Sequence, residues 1–373
     1  MKFPCHEINK CTGCKACVSV CKFDAIVMCE DKYGVPLPNI LNDKCRNCHQ
    51  CESVCPSNKE PTVYPIQECY AAIATDDRTY QTTSSGGAAT IFAQHVLSNN
   101  GVVYGAAYID NSVRHIRVEK IEDLDFIKGS KYVQSDTGVQ YRSVKKDLDS
   151  DRKVLFIGTP CQVAGLKGYL RKSYSNLLTV DLICHGTPPF SYLNEHLISI
   201  VGNAQISDVS FRIKDWKLEI HGKETLLYSK INVEDYYCMA FAKGIIFREN
   251  CYKCSYAQPM RCSDITIGDF WGIGDTTLPN KSKSVVLVIT DKGKKFWSEC
   301  NKFFYYEKRS PQEAIEGNTQ LRVPSVRPVE RDKFLRAYAN KGFRAGIRKS
   351  GIKFQVDLMR VKHVFNKEKI HMG

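Results

Sequence analysis

The chain lacks any hydrophobic run long enough to cross a membrane or to serve as a signal peptide. This absence predicts a cytoplasmic protein. The eighteen cysteines are then expected to be reduced, and to bind metal or remain free thiols, rather than to form disulfides. With 373 residues, of which 43% are hydrophobic, the chain has enough material for two or three domains.

Most of the chain also lacks an excess of positive charge. The formal net charge is +13, but residues 321–373 contain fourteen Lys and Arg against four Asp and Glu, so +10 lies there. Residues 1–62 have eight basic and seven acidic side chains and almost balance. The distribution argues against nucleic-acid binding and sets residues 321–373 apart as a basic C-terminal tail.

The cysteines near the N-terminus form two repeats with the same spacing. Four cysteines near the N-terminus are spaced by two, two and three residues, and a second set repeats this spacing just before Pro56. The sets are Cys11, Cys14, Cys17, Cys21 and Cys45, Cys48, Cys51, Cys55. Three closely spaced thiolates can bind one 4Fe-4S cluster if a fourth arrives from elsewhere. Zinc motifs pair cysteines in twos across a long gap, so the triplets favour two iron–sulphur clusters over zinc or disulfides.

These repeats resemble the bacterial two-cluster ferredoxin module, in which the fourth cysteine of each repeat ligates the other cluster. The resemblance implies an α+β ferredoxin-like module over residues 1–62 with crossed ligation. One cluster would be held by Cys11, Cys14, Cys17 and Cys55, and the other by Cys45, Cys48, Cys51 and Cys21. Proline in the connector at residues 60–65 discourages regular structure and marks the first domain boundary.

Residues 76–320 alternate between strand and helix patterns, which predicts an α/β catalytic body with a mixed or parallel sheet. We divide this body into a flavin-binding part at 76–150 and a second part at 151–320. The predicted strands are Val102–Tyr108, His115–Glu119, Val154–Ile157, Leu177–Ile183 and Ile265–Ile267. The predicted helices follow Ser84-Ser85-Gly86-Gly87 and cover Val139–Leu148 and Gln162–Lys172.

Four further cysteines predict a third metal site. Cys161 and Cys184 each follow an apolar strand, where open α/β sheets place their ligand sites, and Cys251 and Cys254 form a separate pair two residues apart. Together they could bind a third 4Fe-4S cluster, with Cys262 able to replace one of them. A zinc ribbon and a set of buried, inert thiols remain alternative interpretations.

Two loops offer groups suited to a flavin. Ser84-Ser85-Gly86-Gly87 at a helix start presents backbone N–H groups and the positive end of a helix dipole to a pyrophosphate, although an ordinary capped helix has the same pattern. Lys131 could place an ammonium near the flavin carbonyl region, or could be a solvated lysine. Asp269, with Phe270 and Trp271, could line the pocket or belong to the core. His185 could donate a proton or hydrogen-bond to a cluster sulphur.

Four segments in this order resemble the coenzyme F-420 hydrogenase/dehydrogenase beta subunit family. They are Lys128-Gly129-Ser130-Lys131-Tyr132-Val133-Gln134-Ser135, Gly158-Thr159-Pro160-Cys161-Gln162, Cys251-Tyr252-Lys253-Cys254 and Asp264-Ile265-Thr266-Ile267-Gly268-Asp269-Phe270-Trp271-Gly272. The resemblance implies FAD and an additional cluster beside it. Its candidate flavin-binding residues are Ser84, Ser85, Gly86, Gly87, Gly129, Ser130, Lys131, Tyr132, Gln134, Ser135 and Thr159. The candidate catalytic residues are Lys131, His185 and Asp269.

The sequence therefore predicts an iron–sulphur flavoprotein oxidoreductase that passes electrons from a ferredoxin or other one-electron donor to a small organic substrate or a deazaflavin. Two alternatives are an electron-transfer subunit that docks on a catalytic partner and an iron–sulphur redox sensor. The basic tail could contact an acidic donor or an anionic membrane surface, or could be a helix packed on the body. Its apolar residues are Ile352, Phe354, Val356, Leu358, Met359, Val361, Val364 and Phe365.

Overall fold

The computed structural model describes residues 3–212 and 216–371, with side chains described as far as His363. The strands are β1 (Ile26–Glu30), β2 (Pro36–Ile40), β3 (Glu68–Ala74), β4 (Val102–Ile109), β5 (Ser112–Val118), β6 (Val154–Gly158), β7 (Leu177–Leu182), β8 (Asp208–Ser210), β9 (Lys217–His221), β10 (Leu226–Ile231), β11 (Ile265–Asp269), β12 (Ser284–Val288) and β13 (Phe304–Arg309). The helices are α1 (Ala16–Val20), α2 (Gln50–Ser53), α3 (Asp77–Gln81), α4 (Ala88–Ser98), α5 (Gln140–Asp149), α6 (Pro160–Leu170), α7 (Phe190–Val201), α8 (Tyr236–Ala242), α9 (Asp291–Cys300), α10 (Pro311–Gly317), α11 (Glu330–Lys349) and α12 (Ile352–His371).

The largest sheet of the described residues has eight strands in the order β13-β3-β12-β11-β7-β6-β4-β5. The four strands from β11 to β4 are parallel to one another, and the outer strands pair antiparallel on both sides. The inner strands are mostly apolar and almost completely buried, because helices cover both faces of the sheet, and β7 also buries Thr179 and Asp181. The prediction of a mixed α/β body is confirmed.

The N-terminal segment contains a β1–β2 antiparallel hairpin between the short helices α1 and α2. Each of these helices carries the third cysteine of one repeat, Cys17 in α1 and Cys51 in α2. The residue just before each helix, Lys15 or His49, has a positive φ, which lets the backbone turn sharply between the second and third cysteines. The α+β ferredoxin-like fold stays a prediction for this segment, since the described elements do not by themselves identify it.

Local sequence signals account for several boundaries of the body. Gly87, with φ +89°, lies at the N-cap of α4, and that helix ends before Asn100-Gly101 as expected. Thr159 caps α6 in a capping box with Gln162, and Pro160 occupies the first turn, so α6 begins two residues earlier than predicted. Predicted strands and helices between residues 102 and 183 match observed elements to within a few residues.

The basic tail is largely helical and packs on the body. α11 is kinked at Lys341 and Gly342, and buried side chains of α11 and α12 join a core with α7 and α8. Ile352 and Val356 are fully buried in this core, whereas Phe354 is 74% exposed. Val364 and Phe365 lie outside the described side chains. The packed-helix interpretation therefore holds for the tail as far as Val356.

None of the helices in the described parts of the chain combines the length and the apolar character that a membrane crossing requires.

Candidate functional site

A large cavity opens at the carboxyl ends of the parallel strands, where β6, β7 and β11 end at Gly158, Leu182 and Asp269. Its volume is about 700 Å³, which is within the usual range of about 300–1,000 Å³ for ligand sites. The loops that follow the strands carry Thr159, Cys184 and His185 to its wall. The cavity therefore occupies the position at which open α/β sheets bind their ligands.

Nearly all of the predicted flavin-binding and catalytic residues line this one cavity. They are Ser84, Ser85, Gly87, Gly129, Ser130, Lys131, Tyr132, Gln134, Ser135, Thr159, His185 and Asp269. Gly86 is the exception, since a Cβ at this position would lie only 2.0 Å from the carbonyl oxygen of Ala72. Gly86 therefore allows its loop to lie against β3, and its N–H donates to the Ser284 hydroxyl at 3.0 Å.

The two predicted flavin loops are joined directly. The backbone N–H of Ser130 donates to Ser84 Oγ at 3.1 Å, and the Ser130 hydroxyl lies 3.1 Å from the same oxygen. Gly129 has a φ of +76°, and a Cβ there would have no heavy atom within 4 Å. These loops form one small-residue wall at the N-terminus of α4, and this wall leaves room for a phosphate group to approach the backbone.

Lys131 is half-buried in the cavity wall. Its ammonium donates to the carbonyl oxygens of its own turn, including those of Lys128 and Gly129. Burial lowers the pKa of Lys131 to about 8, and the distant negative charge of Asp208 opposes this shift. The sequence predicted that this residue is a cation for an anionic ligand. In the structure its ammonium loses a proton more readily than that of an exposed lysine.

Ser135 and Gln134 line the cavity but also have structural partners. Ser135 Oγ lies 2.9 Å from Nδ1 of the buried His115, whose Nε2 faces the Ile157 carbonyl oxygen at 3.0 Å. Nε2 must donate to that carbonyl, so Nδ1 accepts from Ser135. Burial lowers the pKa of His115 to about 4, which keeps the ring neutral. The Gln134 amide donates to the carbonyl of Thr12, in the N-terminal segment, at 2.7 Å.

Asp269 pairs with a buried arginine that the sequence analysis did not identify. Arg212 Nη1 lies 2.5 Å from Asp269 Oδ2, and the guanidinium also stacks on Trp216 with its carbon 3.8 Å from the ring centroid. Trp216 and Trp271 lie 5.8 Å apart and are both partly exposed at the cavity. Phe270 points the other way into the core, so the two aromatic residues of the motif have different roles.

His185 is exposed at the cavity and follows the predicted ligand Cys184. Burial of the ring region lowers its pKa, and the carboxylate of Asp269 acts in the opposite direction. The ring is therefore mainly neutral at neutral pH, with one nitrogen able to donate and the other to accept. Its backbone carbonyl accepts a hydrogen bond from the Ser325 hydroxyl at 2.5 Å, which ties this turn to the segment before α11.

The four thiols predicted to hold the third cluster are neighbours at the edge of the cavity, where Cys184 forms part of the wall. Burial raises the pKa of the Cys161 thiol well above its usual value, and the nearby thiols of Cys184 and Cys254 raise it further. Burial likewise raises the pKa of Cys184, with contributions from Cys251 and Cys254. Cysteines bind metal as thiolates, and neighbouring thiols that oppose one another's ionisation become thiolates only beside a positive charge. The iron of an iron–sulphur cluster would provide that charge.

Two hydroxyl-bearing residues contact these sulphurs. Thr159 Oγ1 lies 3.2 Å from Cys161 Sγ, and the backbone N–H of Thr187 donates to Cys251 Sγ at 3.5 Å. Hydrogen bonds of this type adjust the reduction potentials of clusters. Cys262 has different partners, because its thiol donates to the Pro160 carbonyl at 3.4 Å and lies 3.5 Å from Asp181 Oδ2. It therefore acts as a buried hydrogen-bond donor.

The N-terminal thiols lie in two groups, and the crossed ligation stays a prediction. A small cavity is lined by Cys11, Cys14, Cys17 and Cys55, with Cys5 beside them. In the second repeat, burial raises the pKa of Cys51, and Cys21 is among the thiols that contribute to this shift. Cys48 is exposed, so the second predicted cluster would lie at the surface. The proposed crossed ligand sets fit these neighbours.

In the ranges 3–212 and 216–371, no three His, Cys, Asp or Glu side chains converge on the position of a single metal ion. A 4Fe-4S cluster binds each thiolate through a different iron, so its ligands need not converge on one point.

The first and third predicted clusters adjoin each other. Cys14 is buried in the same hydrophobic cluster against which Cys161 and Cys254 pack, with Tyr256 among them. The Thr137 hydroxyl, in the loop before α5, donates to the Cys14 carbonyl at 2.9 Å, which ties the first repeat to the body. The predicted metal sites therefore form a series from the exposed Cys48, through the Cys14 region and Cys161, to Cys184 at the large cavity.

Two comparisons with known proteins match separate segments of the chain. Residues 151–314 match the family described as the C terminus of the coenzyme F-420 hydrogenase/dehydrogenase beta subunit. Residues 10–59 match the 4Fe-4S dicluster domain. The predicted family resemblance is confirmed over these ranges, and with it the iron–sulphur character of the N-terminal segment. No curated protein matches the chain.

Among solved structures, a chain of the coenzyme F-420-reducing nickel–iron hydrogenase complex from Methanosarcina barkeri, derivatised with xenon, is 18% identical. The alignment covers 70% of this chain and 92% of that chain, with a TM-score of 0.48.

Proposed function

We propose that the chain is an FAD- and iron–sulphur-dependent oxidoreductase. Its match to a 4Fe-4S dicluster domain precedes its match to the C terminus of the coenzyme F-420 hydrogenase/dehydrogenase beta subunit. Electrons from a ferredoxin or a similar donor would enter at the surface cluster and leave to an oxidised organic substrate or a deazaflavin. The observation that carries this proposal is that the predicted flavin residues and the third-cluster cysteine Cys184 line the same cavity.

The residues of the cavity fit a flavin in chemistry and in shape. The loops at Ser84–Gly87 and Lys128–Lys131 supply small side chains, open space beside the backbone at Gly129 and the ammonium groups of Lys128 and Lys131, of which Lys128 also pairs with Asp125. A flavin bound there would link one-electron transfers from the clusters to the two-electron reduction of an organic substrate. The cluster fits on the other side of the wall, where Cys161, Cys184, Cys251 and Cys254 are neighbours.

The residues of the chain have separate tasks in this reaction. Lys131 would neutralise the negative charge that accumulates on the reduced cofactor, and the neutral ring of His185 could exchange a proton with the substrate. Arg212 and Asp269 form an ion pair in the cavity wall, beside the exposed faces of Trp216 and Trp271. This wall suits a planar substrate, because aromatic faces and a guanidinium both stack on flat rings.

The test is anaerobic purification, followed by analysis of iron, sulphide and flavin and a screen of donors and acceptors. We expect about twelve iron and twelve sulphide per chain, as for three 4Fe-4S clusters, together with FAD. A content of eight iron per chain would contradict the prediction of a third cluster. A protein that binds no flavin would contradict the proposed enzymatic function.

The second candidate is an electron-transfer subunit that docks on a catalytic partner. The exposure of Cys48 and its loop favours it, since this end of the cluster series is open to another protein. Turnover of an organic acceptor by the isolated chain would support the enzyme. Reduction of clusters without any acceptor turnover, restored by a partner protein, would support the subunit.

A further inference from the structure

A buried arginine beside the predicted clusters has no carboxylate partner among the residues that the structure describes. Arg248 is 1% exposed and lies three residues before Cys251, in the turn that leads to the third-cluster pair. Its guanidinium donates only to backbone carbonyls, to Cys11 O at 3.2 Å and to Pro36 O at 3.3 Å. Its Nε is buried without any hydrogen-bond partner in the described part of the chain.

The other two fully buried arginines each have a carboxylate partner. Arg261 lies 3.1 Å from the carboxylate of Asp181, and Arg331 lies 3.2 Å from that of Glu249. Burial of an unpaired charge costs several kcal/mol, so folded proteins normally pair such charges. Among the described residues, no carboxylate pairs with Arg248 in this way.

The surroundings of Arg248 contain thiols instead. Its guanidinium carbon would lie 3.1 Å from a Cβ at Gly13, between Cys11 and Cys14 of the first repeat. On the other side, the N–H of Cys251 donates to the Arg248 carbonyl at 3.0 Å, and the N–H of Arg248 donates to the carbonyl of Thr187. The Arg248 side chain therefore extends from the turn that precedes the third-cluster pair to the loop between Cys11 and Cys14 of the first repeat.

We propose that Arg248 is a positioning residue for electron transfer, and that its guanidinium is the shared counter-charge of the first and third clusters. The inference rests on the proposed cluster ligands. Thiolate-bound clusters carry net negative charge, which increases on reduction, so a fixed cation beside both clusters stabilises both reduced states. The guanidinium thereby keeps the two centres close in potential and easily reduced along the path to the cavity.

The test is a potentiometric titration of the anaerobic holoprotein, monitored by electron paramagnetic resonance, for wild type, Arg248→Gln and Arg248→Lys. In Arg248→Gln we expect the equilibrium constants for reduction of the first and third clusters to fall at least tenfold, equivalent to about 59 mV for one electron. Arg248→Lys keeps the charge and should retain most of the wild-type potential. The surface cluster should be unaffected in both variants.

Arg142→Gln is the matched control. Arg142 also donates to backbone carbonyls of the N-terminal segment, those of Ser19 and Cys21 at 2.7 Å, but it is partly exposed and lies near Asp24. Its replacement should leave the potentials of the first and third clusters unchanged.

Each outcome supports or contradicts the proposed role of the Arg248 charge. Unchanged potentials in Arg248→Gln with full cluster content would overturn the proposal, as would equal shifts in Gln and Lys variants. Cluster loss in Arg248→Gln alone would support a need for the charge, whereas loss in both variants would assign Arg248 to backbone bonding instead. If the wild type contains only eight iron, the proposed third cluster fails, and a shift of the first cluster still tests the role of Arg248.

Discussion

Gly165 of α6 lies directly against Cys14, so that a Cβ at residue 165 would be 2.8 Å from Cys14 Sγ. The helix that begins beside Cys161 thus contacts a ligand of the first predicted cluster through a position with no side chain. This close approach explains a glycine in the middle of a buried helix, where it costs about 1 kcal/mol relative to alanine. The contact joins two predicted redox centres through one helix.

Gly165→Ala should therefore reduce the iron content of the first cluster and slow electron transfer to the third. The added methyl group must displace Cys14 or the nearby Tyr141 hydroxyl, which would lie 3.1 Å from it. Iron analysis and stopped-flow reduction measure the two effects. Ala164→Ser, at a half-buried position of the same helix, is the control and should behave as wild type. Full iron content and normal rates in Gly165→Ala would refute the close contact.

Cys254→Ser and Cys262→Ser should differ sharply. Loss of a predicted ligand in Cys254→Ser should remove about four iron per chain, leave the two N-terminal clusters reducible and abolish turnover. Cys262→Ser replaces a thiol that donates to the Pro160 carbonyl, beside Asp181, with a hydroxyl that can make the same bond, so this variant should keep its iron. Iron analysis and electron paramagnetic resonance compare the two. The reverse pattern would make Cys262 the ligand.

The sequence predicted residues that line one cavity wherever a short motif carries the signal. The cysteine spacings, the Ser84–Gly87 loop and the Lys128–Ser135 segment all carry local signals, and the alternation of strands and helices gave the body of the fold. Arg212 and Arg248 were missed because each lies in an unremarkable stretch, and their roles depend on the buried partners that the fold supplies. No short-range pattern reports which distant residue a buried cation will face.

The predictions for Gly86 and for the basic tail could be checked only against the tertiary structure. Gly86 belongs to a phosphate-loop pattern, yet the space beside it is filled by the backbone of β3. The tail was set apart by its charge, but Arg331 pairs with Glu249 beside the Cys251 turn, and the apolar residues of α11 complete a core. Deletion of residues 321–373 would therefore damage the fold, and a test of the tail's surface needs substitutions instead.

Lys131→Met should weaken FAD binding by about tenfold to a hundredfold, since a hydrogen bond to a charged group contributes about 1.5–3 kcal/mol. Lys131→Arg should retain most of the affinity. The pKa of Lys131 is lowered by burial to about 8, so the ammonium is present below about pH 8 and is lost as the pH rises through that value. Wild-type affinity should then decline above pH 8.

Flavin fluorescence titration across the pH series measures this dependence. Lys131→Met should have uniformly weak binding with no decline near pH 8, and Lys131→Arg should remain tight to higher pH because its guanidinium does not titrate there. Equal affinities in wild type and Lys131→Met at pH 7 would place the flavin elsewhere.

The exposed face of α12 should bind weakly to anionic membranes. Phe354, Leu358 and Val361 recur at helical spacing and are 74%, 42% and 50% exposed, whereas Ile352 and Val356 on the other side are buried. An apolar stripe on a basic helix can lie in the interface of an anionic bilayer, with its attraction reduced by salt. Phe354→Ser/Leu358→Ser/Val361→Ser should lower vesicle binding at least tenfold, because each apolar side chain contributes about 1 kcal/mol or more when buried.

Flotation with vesicles of mixed neutral and anionic lipid, over a series of salt concentrations, is the measurement. Val326→Ser is the matched control, because Val326 is 85% exposed but lies outside α12. Iron content should be unchanged in both variants, since neither replaces a buried residue. If wild type does not float at low salt, or if the triple variant floats equally well, the face has no membrane role. An acidic ferredoxin whose association rate falls in the triple variant would then identify the face as a donor-docking surface, because the same basic, apolar helix suits an acidic protein.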